Sequence, residues 1–228
     1  MRSLLMNAAG LAASVTFVLA VIAGAAALGR AGTLDVRTAR KTIHIALAHW
    51  WLIALVMFDD PWVASAGPAC SLLAACFVPG GRLLPVEEGA ARSRDRGAIY
   101  YSAALLVLVN LSWRGLISMR SATVGVLVMG WGDGLAGLIG ARFAQAGITI
   151  WGRKKTAQGT AVMFFTSFVV TLLLILVANH LARGLPVTAI QCLCTAAVAT
   201  CLELFTPWGL DNITIPVGTA LFFAGAFG

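Results

Sequence analysis

Residues 121–141 read SATVGVLVMGWGDGLAGLIGA. The run has the apolar length of a membrane-crossing helix, which needs roughly 20 residues, yet it carries one carboxylate, Asp133, among Gly125, Gly130, Gly132, Gly134, Gly137 and Gly140. An ionised carboxylate in the apolar core is costly unless it is paired or hydrated, so such a residue is a functional candidate by default. The glycines leave room for a broken helix that lines a cavity and for close approach of a ligand. The structural alternative is that Asp133 pairs with an arginine and only locks two helices together.

The rest of the chain puts this segment in a membrane. With 60% hydrophobic and 11% charged residues over 228 positions, the composition lies outside that of a water-soluble domain. Charge-free stretches of near-spanning length occupy 3–29, 42–57, 61–81, 97–113, 156–182, 184–202 and 212–228. With 121–141 they predict an all-α, polytopic integral membrane protein of about eight transmembrane helices, forming a single transmembrane domain over 1–228. The first stretch follows Arg2 but is about twice the usual apolar core of a secretory signal, and reads as a retained span. Cys70, Cys76, Cys192, Cys194 and Cys201 sit in apolar runs without metal-ligand spacing, which suits helix packing.

Alternation of eight spans places loops 30–41, 82–96, 142–155 and 205–211 on one side, and both termini with the shorter connections on the other. Twelve of the 16 basic residues then share the first side: Arg30, Arg37, Arg40, Lys41, Arg82, Arg92, Arg94, Arg96, Arg142, Arg153, Lys154 and Lys155. The positive-inside rule makes that side cytoplasmic and accounts for the net charge of +7 by topology. Basic residues divided among short loops offer no platform for nucleic acid.

Three clusters on the same side have chemical capability. Lys154, Lys155, Thr156 and Gly159 stand at the mouth of a span, where ammonium groups and helix N-terminal N–H groups together suit a phosphate. Taken alone, such lysines are more often topological anchors, and it is their company that raises the phosphate reading. Glu203 and Asp211, with Asn212, add carboxylates that together with Asp133 suit Mg²⁺, a hard ion that bridges nucleotide phosphates. Asp211 also fits a helix cap. Arg40, Lys41 and His44 share one helical face and suit an anionic group at the membrane surface.

In this order and spacing the residues resemble the CTP-dependent polyprenol kinases, the dolichol kinase and phytol kinase group. The resemblance rests on the D-x-x-A-x-x-x-G pattern of Asp133, Ala136 and Gly140, followed by Lys154, Lys155, Thr156 and Gly159. Arg40, Lys41 and His44, the stretch from Arg94 to Tyr101, and Asp211-Asn212 with Pro216 extend it over about residues 37–220. Gln158 departs from the glutamate that dolichol kinases tend to carry, and the short chain looks more like the phytol kinase branch.

The resemblance implies transfer of the γ-phosphoryl group of CTP, or a related nucleotide, to an isoprenoid alcohol such as phytol, geranylgeraniol or a polyprenol. It implies Lys154, Lys155, Thr156, Gly159 and Gly140 at the nucleotide, Asp133, Asp211 and Glu203 at Mg²⁺, and Arg40, Lys41 and His44 at the reacting groups. Asp133 and then His44 are the candidates for a general base. Two other readings stay open: a phosphatidate-cytidylyltransferase-like enzyme that releases pyrophosphate, and a small proton- or cation-coupled transporter using Asp133.

Overall fold

A computed structural model describes residues 2–33, 35–77, 96–143, 147–177 and 185–228. The expected loop residues Arg82, Arg92 and Arg94 lie outside these. The described chain is almost entirely helical, and four helices are long and apolar enough to cross a membrane: Leu4–Arg30, Met119–Arg142, Ala157–Val177 and Leu185–Phe205. Shorter apolar helices cover Pro61–Phe77 and Gly97–Trp113. The protein is therefore an all-α membrane protein. It divides into two compact units, Met1–Leu116 and Ile117–Gly228.

The first unit holds α1 (Arg2–Arg30), α2 (Val36–Ala48), α3 (Trp50–Met57), α4 (Pro61–Phe77) and α5 (Arg96–Trp113). Helix α1 packs on α2 and α3, and the Trp50 indole donates to Ser14 Oγ at 2.9 Å. At the α4–α5 contact Asn110 donates to Ser65 Oγ at 3.1 Å, and Ser71 and Ser102 share a hydrogen bond of 2.8 Å. Interhelical contacts of this kind replace the hydrophobic drive that lipid cannot supply.

Two expectations change here. The stretch 42–57 is not one continuous helix, because α2 ends at Ala48 and α3 starts at Trp50, with the His49 ring nitrogen Nδ1 against the carbonyls of Ile45 and Ala46 at 3.1 and 3.3 Å. An apolar run carries no mark of such a local tightening. The basic stretch from Arg37 to Lys41 is not loop either: Asp35 accepts the Thr38 N–H at 3.2 Å and caps α2 ahead of it. Hydrogen bonding from Thr38 lowers the Asp35 carboxyl below its ordinary value.

The second unit contains α6 (Met119–Leu127), a π-helical turn (Val128–Asp133) and α7 (Gly134–Arg142), which run on as one helix. A short antiparallel hairpin, β1 (Ile148–Ile150) and β2 (Arg153–Lys155), leads into α8 (Ala157–Val177), followed by α9 (Leu185–Phe205) and α10 (Asp211–Phe227). The glycine-rich segment is thus continuous: in place of an unwound break it carries a widened turn, a feature frequent at functional sites.

Its glycines have a packing reason. A Cβ on Gly132 would meet the Met163 sulfur at 2.7 Å, and one on Gly125 would collide with the Pro216 carbonyl oxygen. A Cβ on Gly159 would lie 3.2 Å from the Ala136 carbonyl oxygen and 3.3 Å from Gly140 Cα, so α7 and α8 cross backbone to backbone. Gly159→Ala is expected to destabilise the protein by about 1–3 kcal/mol through overpacking, read as a lowered melting temperature in detergent.

Candidate active site

The site residues of the second unit are built on the ends of its helices. Asp133 closes the π turn and is 6% exposed, so its carboxylate is held within the helix packing and not in bulk water. Thr156 caps α8: its Oγ1 accepts the Gly159 N–H at 3.1 Å, and its carbonyl accepts the Thr160 N–H at 2.9 Å. The capping threonine orients the first turn of α8, whose remaining N–H groups lie outside the helical ladder and make an anion-receptive end.

The hairpin separates the jobs of the two lysines. Successive strand residues point to opposite faces, and Lys154 pairs across to Thr149 while Lys155 pairs to Ile148. Lys155 reaches back to α9, donating to the Glu203 backbone oxygen at 2.7 Å and forming an ion pair with the Glu203 carboxylate. Both side chains of that pair are largely buried, whereas Lys154 is exposed. One lysine braces the α8 and α9 ends together and its neighbour faces outward.

Asp211 opens α10 and is 3% exposed, its Oδ1 accepting the Asn212 N–H at 3.2 Å. A carboxylate in a first helical turn is favoured by the helix dipole. The approach to it is tied by a hydrogen bond of 2.8 Å between the Thr206 and Thr214 hydroxyls.

Among the described residues no group of three or more His, Cys, Asp or Glu is gathered that could hold a metal ion. Glu203, read from the sequence as a third ligand, is engaged by Lys155. The oxygen donors of Asp133 and Asp211, both buried in this unit, suit a hard cation that takes few protein ligands and completes its shell with phosphate oxygens and water.

Arg40, Lys41, His44 and Tyr101 belong to the first unit. Arg40 is exposed and Lys41 and His44 are partly buried on α2. The His44 ring stands edge-on to Tyr101, centroids 5.0 Å apart and planes at 70°. The Tyr101 hydroxyl is buried and has no hydrogen-bond partner among the described residues. Both residues are candidates from the sequence, which does not pair them, since His44 and Tyr101 stand 57 positions apart. Arg94, the companion of Tyr101 in the motif, lies outside the described residues.

Neither a family model nor a solved structure matches the chain. Among curated proteins, the phytol kinase of Synechocystis sp. is 32% identical over 225 residues, covering 96% of this chain and 92% of that protein. The chain belongs to the polyprenol kinase family. It is also 30% identical to the probable chloroplastic phytol kinase of Triticum aestivum, over 59% of this chain and 45% of that one. The dolichol kinase of Saccharomyces cerevisiae is 32% identical over 55% of this chain and 23% of its own length. This member of the family is accordingly a membrane-bound kinase of lipid alcohols. Phosphoryl transfer asks a protein chiefly for positioning and charge neutralisation; the buried carboxylates, the outward lysine and the capped helix N-terminus of the second unit are the candidates for both.

Proposed function

We propose that the enzyme transfers the γ-phosphoryl group of CTP to the hydroxyl of an isoprenoid alcohol of the phytol, geranylgeraniol or polyprenol class. The observation that carries this reading is the similarity to a phytol kinase along nearly the whole of both chains, with Asp133, Lys154, Lys155 and Asp211 all inside the matched length. Eight spans, with the motif residues facing the cytoplasm and both termini opposite, accompany it. Six of the proposed spans fall on the apolar helices named above, and the other two would be made by α2 with α3 and by α10.

In this reading Lys154 and the first turn of α8 hold the nucleotide phosphates, and Lys155, clasped to Glu203, sets the height at which they do so. Thr156, Gly159 and Gly140 shape that end of α8. Asp133 and Asp211 hold Mg²⁺, which when bound neutralises the charge on the transferring phosphate. Asp133 is also the first choice as base for the alcohol proton, and His44 the second. For Arg40, Lys41 and His44, in the first unit, the resemblance to the family implies a role toward the reacting groups. Asn212 supports Asp211 at the start of α10.

Tyr101 gives the acceptor a hydrogen-bonding group in an apolar setting. A buried hydroxyl without a partner costs about 1–3 kcal/mol, and the hydroxyl of an alcohol substrate satisfies it. Tyr101→Phe, which keeps the ring and its contact with His44, is therefore expected to melt no lower than wild type. Its KM for the alcohol rises severalfold while its KM for the nucleotide holds. A lowered melting temperature with unchanged kinetics would instead make the hydroxyl structural.

The deciding assay pairs CTP, UTP and ATP with phytol, geranylgeraniol, longer polyprenols and diacylglycerol, using detergent-solubilised full-length protein. A nucleoside diphosphate plus a phosphorylated prenol is the expected outcome. Pyrophosphate plus a nucleotide-linked lipid would assign cytidylyl transfer, and a folded protein that transfers to none of these acceptors would overturn the reading.

A further inference from the structure

Two Trp-Gly pairs close turns in the second unit: Trp151-Gly152 between β1 and β2, and Trp208-Gly209 between α9 and α10. In each pair both residues have positive φ, 49° and 74° in the first and 54° and 81° in the second. Trp151 and Trp208 are the non-glycine residues with that conformation among the described residues. A two-residue hairpin connection with φ above zero at both centres favours Asn or Asp before the glycine, and a bulky side chain there is a backbone outlier. Such strain persists where something over-determines it.

Packing among the described residues is not that something. The two indoles are 64% and 68% exposed, and they are accompanied by Ile148 at 66% and Phe205 at 62%. A large apolar group held at a strained backbone position, and left uncovered by the described residues twice over, points to a compensating contact beyond them.

The helices say where that contact lies. The link from Lys155 to Glu203 joins the start of α8 to the end of α9, so both turns project from the same end of one helix pair. At 21 residues each, α8 and α9 are about 31 Å long, close to the roughly 30 Å apolar thickness of a bilayer. Turns just beyond their ends stand at headgroup level, where the amphipathic indole is enriched. The exposed Lys154 beside Trp151 adds a charge suited to lipid phosphates.

We infer that Trp151 and Trp208 are lipid anchors, their strained turns laying the β1–β2 hairpin and the α9–α10 connection against the phospholipid headgroup layer. The occupant is the bilayer that holds the chain, and the anchors set the height of Lys154 above it. This assignment is independent of which reaction the site performs.

The test uses full-length protein in phosphatidylcholine vesicles. Emission of each indole is obtained by subtracting the Trp151→Phe or Trp208→Phe variant from wild type. Both differences are expected to be blue-shifted and quenched more by lipid brominated near the glycerol end of its chains than by aqueous iodide. Stronger quenching by iodide overturns the assignment. So does quenching of the Trp151 emission by added nucleoside triphosphate with no response to brominated lipid, which would give the indole to a base. Trp151→Asn suits the turn and is expected to melt in detergent at or above the wild-type temperature. A clearly lower value would place the indole inside the protein's own packing and sink the proposal.

Discussion

Asp133→Asn is expected to abolish phosphoryl transfer while leaving the kinase folded. The substitution keeps volume, shape and one carbonyl oxygen, so the side chain still fits its place in the π turn, where Asp133 is 6% exposed. What is lost is the negative charge, and with it, on the proposed reading, the affinity for Mg²⁺ and the capacity to take a proton. A fall in kcat of about a thousandfold corresponds to about 4 kcal/mol of lost transition-state stabilisation. The measurement is steady-state transfer from nucleotide to prenol, beside a melting curve in the same detergent. Partial recovery at raised Mg²⁺ identifies a metal ligand, and loss of the acidic limb of the pH–rate profile without such recovery identifies a base. Wild-type turnover in the variant would remove Asp133 from the chemistry altogether.

The second large effect is expected at the brace between hairpin and helix. Lys155→Ala leaves the Glu203 carboxylate buried without its cation, and the Glu203 backbone oxygen without its Nζ donor. Breaking one side of a buried pair costs about 3–5 kcal/mol, because the remaining charge is uncompensated. Lys155→Met combined with Glu203→Leu removes both charges and is expected to regain most of the lost melting temperature. If Lys155 acts by positioning, the double variant keeps measurable transfer and shows mainly a raised KM for nucleotide. A stable double variant with no activity would instead put Lys155 on the phosphate and return it to the role that its place beside Lys154 first suggested.

The membrane character, the length of most apolar helices and the candidacy of Asp133 were all legible in the sequence, because each depends on composition within one segment. The shared face of Arg40, Lys41 and His44 was legible too, since helical spacing alone defines it. Other features depend on contacts or on competing local preferences. The division at His49 lies inside an apolar run whose hydropathy does not change. The extension of α2 into the basic stretch hangs on the single cap at Asp35. The hairpin at 148–155 is short and positively charged, with tryptophan where its turn would favour asparagine. The pairing of Lys155 with Glu203 crosses 48 residues, beyond the reach of any local pattern. Thr156 and Gly159 were read together as part of a phosphate cluster, and the cap that the Thr156 hydroxyl makes with the Gly159 N–H emerges only from the structure.

The π turn fixes the rotational phase of one half of the helix against the other. Helix α6 takes its azimuth from α10, through Gly125 against Pro216, while α7 takes its azimuth from α8, through Gly140 against Gly159. Removing one residue from Val128–Gly132 would regularise the ladder and rotate everything after it by about 100°, the angle of one α-helical residue. Either Gly140 would swing off Gly159, or Gly125 off Pro216. The wide turn thus works as a gear offset between two packing surfaces, with Asp133 mounted at the step.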